Sequence, residues 1–220
     1  MKLYMTPGSC STGIHILLEE CEVFFEAHVV NLLTGENMTP EFLALNPRGS
    51  VPTLVRDDGT ALTSFRAIAQ WLAEAYPKKQ LLPEDSAEAA RVLQALDYAV
   101  EVIHGEGFTR VFVAERYAAD PEQRAQVERE GRAAVMEGFE RLQFMIAGPK
   151  LVASRFSIAD AALFYVEFWA DRVGIPLPPR CQSHLEAMLA RGAVRQVLGE
   201  EGYSSTLRKY ASTAPGPHSM

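Results

Sequence analysis

A change of hydrophobic rhythm near residue 77 constrains this chain more than any other feature. Up to Tyr76, short apolar runs rich in β-branched and aromatic residues alternate with segments of helical period. From Ser86 onward no convincing strand pattern occurs. A chain of this kind needs helices packed on a small sheet in its first part and helices packed on helices in its second. The expected division is residues 1–76 as an α/β domain, 77–85 as a linker, 86–210 as an all-helical domain, and 211–220 as a disordered tail of small and polar residues.

Within the first part, Lys2 to Met5 reads as a strand stopped by Thr6-Pro7-Gly8-Ser9. Ile14, Leu17, Leu18 and Cys21 then form one helical stripe, with Ser9 or Ser11 available as a cap. Phe24 to Val30 predicts a second strand. Thr39-Pro40-Glu41 carries a helix-start signal for a short helix ending near Asn46-Pro47. Thr53-Leu54-Val55 and Ala61-Leu62-Thr63 flank Asp57-Asp58-Gly59, a hairpin signal, and Ile68, Trp71, Leu72 and Ala75 repeat helically afterwards. The order is β-α-β-α-β-β-α. In the second part, Val92, Leu96, Ala99 and Ile103 share one helix face, and Val135, Phe139, Leu142 and Ile146 another. Ser157-Ile158-Ala159-Asp160 has the spacing of a capping box opening a helix with Ala162, Tyr165 and Trp169 on one face.

The formal net charge of −7 argues against nucleic acid or an anionic membrane surface as a partner. The most apolar stretch, Ala159 to Ile175, is interrupted by four charged residues and does not suit a membrane span. No secretory signal is visible, and three cysteines at no metal-like spacing suit a reducing compartment, so a cytoplasmic location is expected. The five histidines show no metal spacing among themselves, and no bound metal is expected.

Cys10 is the sharpest chemical feature. It follows a strand and a Pro-Gly turn and stands where a helix begins, so free N–H groups and the helix dipole favour its thiolate. The other reading is a small buried hydrophobe. Val51-Pro52, after Gly49, marks a backbone corner. A trans bond is the ordinary case, whereas a cis bond turns the Val51 peptide outward to grip another backbone. Ser64 and Phe65 open a helix whose start suits either a carboxylate ligand or a plain serine cap. His104, followed by Gly105-Glu106-Gly107, lies where a kink or helix end is expected. It is either a solvated or core residue or a hydrogen-bond donor in an interdomain cleft. Cys10-Ser11-Thr12-Gly13 lacks the second cysteine of a dithiol pair.

Taken in order, Lys2-Leu3-Tyr4 through Cys10-Ser11, the segment Asn46-Pro47-Arg48-Gly49-Ser50-Val51-Pro52-Thr53-Leu54, the Asp57-Asp58-Gly59 hairpin with Ala67 to Leu72, and Phe156 to Asp160 resemble the glutathione transferase family. The bacterial beta class, which uses a cysteine, is most similar. The resemblance spans Met1 to about Tyr203 and implies a thioredoxin-like α/β domain followed by an all-α domain. It implies glutathione as co-substrate, conjugated to an apolar electrophile in a pocket of the helical domain or exchanging its thiol with a disulfide. It further implies peroxidase activity as a side reaction, a role in detoxification, and a homodimer packed across the long helix. Residue by residue, Cys10 would meet the glutathione sulfur and Val51, before the family's cis-Pro52, the cysteinyl backbone. Ser64 and Phe65 would occupy the γ-glutamyl site, with Asp97 and His104 as polar ligands from the long helix. Ser64-Phe65 stands where the family has an acidic residue and then a small one. Asp97 is expected to supply the negative charge that this change removes, or Arg66 to attract a carboxylate instead. A non-catalytic binding or interaction protein on the same scaffold is the alternative.

Overall fold

The computed structural model describes residues 1–148 and 150–211. Strands β1 (Lys2–Met5), β2 (Glu26–Val29), β3 (Thr53–Val55) and β4 (Ala61–Leu62) form one sheet in the order β2-β1-β3-β4. β1 runs parallel to β2, with Leu3 beside Ala27, and antiparallel to β3, with Leu3 beside Leu54. β4 closes the expected hairpin against β3. The second strand is shorter than the run Phe24 to Val30 suggests. It is an edge strand whose one partner, β1, offers four residues, and Phe24 is left 100% exposed.

Helices α1 (Ser11–Cys21), α2 (Pro40–Leu45) and α3 (Phe65–Ala75) complete the first unit. Ile14, Leu17 and Leu18 of α1 join Leu3, Leu54, Ile68 and Leu72 in the core, each contributing about 1.5–3 kcal/mol through removal of apolar surface from water. α2 starts as its sequence predicts: Thr39 accepts the Phe42 N–H and Pro40 fills the first turn. α1 departs from expectation, because its N-cap is Cys10 itself. Ser9 Oγ accepts the Ser11 N–H at 3.1 Å and contacts Ser11 Oγ at 2.6 Å.

The second unit opens with α4 (Ser86–Asp97), capped by Asp85. It passes without a break into a π-helical segment, Tyr98–Phe108, and then α5 (Thr109–Phe112). Gly105 and Gly107 therefore neither end nor break this helix. A Cβ on Gly107 would stand 2.6 Å from Val135 Cγ2, so that glycine permits close approach of α6 (Pro121–Leu142). Ile146 lies past the end of α6 yet is buried with Val135, Phe139 and Leu142.

α7 (Ile158–Val173), opened by the expected Ser157–Asp160 capping box, is buried at every position from Ile158 to Ala170. Such a helix belongs at the centre of the molecule. α8 (Pro179–Leu189) packs against it, α9 (Gly192–Glu200) packs chiefly on α1, and α10 (Ser204–Ala211) lies against α8 and α9. Burying Asp160 and Glu167 on α7 demands a partner. His184 of α8 supplies it, with Nδ1 2.6 Å from Glu167 and Nε2 3.1 Å from Asp160. Apolar side chains from α1, α3, α4 and α7 belong to one continuous core, so the two units share an interior. The tail expected to be disordered lies, beyond Ala211, outside the described residues.

Candidate active site

The loop before α1 presents Cys10, and helices from the far half of the chain hold that loop. Gly8 has φ +73, a left-handed conformation that favours glycine. Its N–H donates to Glu201 Oε2 at 2.8 Å, and its carbonyl accepts the Trp169 indole N–H at 2.7 Å. Glu201 also accepts from the Thr12 hydroxyl at 2.7 Å and pairs with His15 Nδ1 at 2.9 Å. The Tyr203 hydroxyl donates to the Pro7 carbonyl at 3.3 Å, and a side chain at position 8 would strike that ring.

Cys10 Sγ donates to the Val51 carbonyl at 3.4 Å. The Val51-Pro52 bond is cis, as the family resemblance implies and against the ordinary reading of the local sequence. Asn46, fully buried, ties this corner together. Its Nδ2 donates to the Ser50 carbonyl at 2.7 Å and to Thr53 Oγ1 at 2.9 Å, and its Oδ1 accepts the Arg48 N–H at 3.0 Å.

The electrostatics of Cys10 reverse the expectation of a lowered pKa. Cys10 is partly exposed, but the protein around the sulfur decides the cost of a thiolate. Burial pushes the thiol up to about 12, against the smaller downward pull of the Cys10 and Ser11 N–H groups. The helix start is real, yet desolvation outweighs it. Tyr165 lies close enough for Cys10 to affect it. Burial first, and then the Cys10 charge, hold its phenol well above the usual value.

His104 faces into the protein from the π-helical segment. Burial lowers it to about 4, so near neutrality the ring is uncharged. The Tyr165 hydroxyl is hydrogen-bonded to Nδ1 at 3.2 Å. Trp169 packs edge-on against the imidazole at 4.9 Å. Cys10, Val51, Tyr165 and His104 thus form one connected set.

Ser64 is the N-cap of α3, and its Oγ accepts the Ala67 N–H at 3.1 Å. Phe65 is 5% exposed, with its ring against Tyr165 at 5.3 Å, so its side chain belongs to the core rather than to a ligand wall. Gly13 makes room for it, since a Cβ there would stand 2.7 Å from the Phe65 ring. Arg66, one residue on, forms an ion pair with Asp97 of α4. The structure therefore joins the two charged residues that the sequence offers as separate candidates. Tyr165, Trp169 and Glu201 are site-shaping residues that sequence reasoning missed. Only their common burial around the loop after β1 reveals them.

Comparison with known proteins agrees with this architecture. Residues 8–75 match the family described as glutathione S-transferase, N-terminal domain. The glutathione S-transferase GstA of Escherichia coli O157:H7 is 36% identical over 214 residues, covering 92% of this chain and 99% of that protein. A crystal structure of a glutathione transferase homolog from Sulfitobacter with bound glutathione superposes with a TM-score of 0.83 at 28% identity, over 90% of this chain and 97% of that one. The bacterial beta class glutathione S-transferase of Sphingomonas chungbukensis gives 0.80 at 30% identity, over 92% of this chain and all of that one. The chain belongs to the glutathione S-transferase family, and its beta-class resemblance stands.

Proposed function

We propose that the protein conjugates glutathione to an apolar electrophile, with Cys10 as a protonated hydrogen-bond donor to the glutathione sulfur. The observation that carries this reading is the Cys10 thiol: raised by burial, beside the cis Val51-Pro52 corner, with Val51 as its acceptor. Glutathione bound in extended form would pair its cysteinyl backbone with Val51, displacing the Cys10 S–H from that carbonyl and turning it toward glutathione's sulfur. A donor there favours glutathione's thiolate over its thiol. That thiolate attacks the electrophilic carbon, a C–S bond forms, the leaving group departs with the bonding pair, and the thiol proton has already passed to solvent. A thiol held protonated is a poor attacking group for disulfides, so conjugation is favoured over thiol exchange.

At the γ-glutamyl end, the first N–H groups of α3 at Phe65 and Arg66 suit a carboxylate. The Arg66–Asp97 pair offers one charge of each sign to a zwitterion. Neutral His104 is a second polar group on the helical side. A cavity of about 360 Å³ lined by Pro7, Gly8, Ser9, Phe112, Trp169 and Arg172 adjoins the Cys10 loop and suits an aromatic electrophile.

A homodimer across α4 is part of this reading. A groove of about 500 Å³ along Ala90, Leu93, Gln94, Asp97, Tyr98 and Glu101 supports it. A detoxifying role in the cytoplasm is consistent with three free cysteines, and among the described residues no helix is long and apolar enough to cross a membrane.

Calorimetric titration with glutathione, followed by turnover of a chloronitrobenzene electrophile in wild type, Cys10→Ser and Cys10→Ala, tests the assignment. Binding in all three, with serine preserving more turnover than alanine, is the expected result. No binding at millimolar glutathione would overturn it.

A further inference from the structure

We propose that His15, Glu19 and Glu200 form a divalent-cation site where α1 meets α9, suited to zinc or a similar transition ion with nitrogen and oxygen ligands. His15 and Glu19 stand four residues apart on α1, so their side chains leave the same face one turn apart. Glu200 reaches them from the end of α9. Nε2 of His15 lies 3.3 Å from Oε2 of Glu200, and one ligand atom from each of the three residues lies within 4.8 Å of the others. Two ligands at zinc bond lengths in a tetrahedron stand about 3.3–3.6 Å apart. The His15–Glu200 pair already has that spacing, and Glu19 has a ligand atom within 4.8 Å of both.

The imidazole supplies a second, independent indication. Its side chain is 4% exposed, and its Nδ1 lies 2.9 Å from Glu201 Oε1. Glu201 also receives the Gly8 N–H and the Thr12 hydroxyl, so it is fixed as an acceptor, and the His15 proton belongs on Nδ1. Nε2 faces Glu200 Oε2 at 3.3 Å, a contact that holds either a proton or, in its place, a cation shared by the ring and the carboxylate. A carboxylate behind the far nitrogen orients a metal-binding histidine and raises its basicity. Gln196 completes the arrangement by donating to Glu19 Oε2 and Glu200 Oε1, each at 3.0 Å, which holds the two carboxylates together and leaves one oxygen of each free of it.

The site opens into a cavity of about 720 Å³ whose further acids, Glu20 and Glu22, are paired with Arg191 and Lys79. Its space admits water as a fourth ligand. An ion here ties α1, the helix that begins at Cys10, to α9. The site does not depend on glutathione.

Titrating the metal-stripped full chain with zinc chloride by calorimetry tests the proposal, alongside thermal unfolding and the absorption spectrum with cobalt. One equivalent is expected to bind with a micromolar Kd and raise the unfolding temperature. Cobalt is expected to show no sulfur-to-metal charge-transfer band, which separates this site from the cysteines. Glu19→Gln and Glu200→Gln, both on partly exposed side chains, should each weaken zinc at least tenfold while unfolding near the wild-type temperature without metal. If Nε2 holds a proton instead, zinc will neither bind saturably nor stabilise. That result, a sulfur charge-transfer band, or unchanged affinity in either variant would overturn the site.

Discussion

Glu201 Oε2 accepts the backbone N–H of Gly8 at 2.8 Å across 193 residues of sequence. The same carboxylate holds the Thr12 hydroxyl and the His15 ring, so it organises both the turn before Cys10 and the first turns of the helix after it. Glu201→Ala strands these polar groups in a largely buried place. It should cost about 3 kcal/mol of stability in urea unfolding and weaken glutathione binding severalfold by calorimetry. Wild-type glutathione affinity in a folded Glu201→Ala protein would show that the loop is held by other means.

The protonated state of Cys10 has a direct chemical readout. With a thiol pushed up to about 12, fewer than about one molecule in 10,000 carries the thiolate at neutral pH. Alkylation of Cys10 by iodoacetamide, followed by mass spectrometry in the absence of glutathione, should be slow at pH 7.5 and still rising at pH 10. A plateau below pH 8 would mean that the helix start dominates after all.

Arg66 and Asp97 bridge α3 and α4 with side chains partly open to water, where an ion pair contributes little stability. Asp97→Ala should therefore change the unfolding free energy by less than about 1 kcal/mol. It should nevertheless weaken glutathione about tenfold by removing the partner of the α-ammonium, the equivalent of one charge-assisted bond. A large loss of stability with unaltered affinity would reassign the pair to a structural role.

His184 sits between two buried carboxylates. Although burial alone would lower its pKa, Glu167 and Asp160 raise it from the ordinary 6.5 to about 10. The folded state thus holds the proton more tightly than the unfolded state. The stabilisation is complete below about pH 6.5 and is lost as pH rises through about 10. Urea unfolding from pH 6 to 10 should show falling stability in wild type. His184→Leu, which leaves both carboxylates buried without a cation, should lose about 3–5 kcal/mol at neutral pH and flatten that slope. An equal slope in both proteins would exclude His184 as its source.

Much of the fold is legible in the sequence because its signals are local. The stripe Ile14-Leu17-Leu18-Cys21, the Asp-Gly hairpin and the Ser157–Asp160 box each decide their element within a few residues. The placement of Cys10 at a helix start and the Val51-Pro52 corner are legible for the same reason. The sign of the Cys10 shift is not, because it depends on how much protein closes over the sulfur. The burial of the Phe65 ring is not legible either, because Gly13, on a different helix, leaves the space for it. The histidines lack metal spacing among themselves, yet the i, i+4 pair His15–Glu19 is visible in the sequence. What is not visible is Glu200, which only tertiary packing brings to them.

The grip of Glu201 and Trp169 on Gly8 also bears on when the catalytic loop acquires its shape. Synthesis proceeds from the N-terminus, so the sheet and the proline corner leave the ribosome long before these two anchors exist. A nascent first half can pair its strands, but the backbone around its thiol still lacks the acceptor and donor that set it. The Cys10 loop takes its final shape only with the closing helices, which makes it one of the last regions of the molecule to mature.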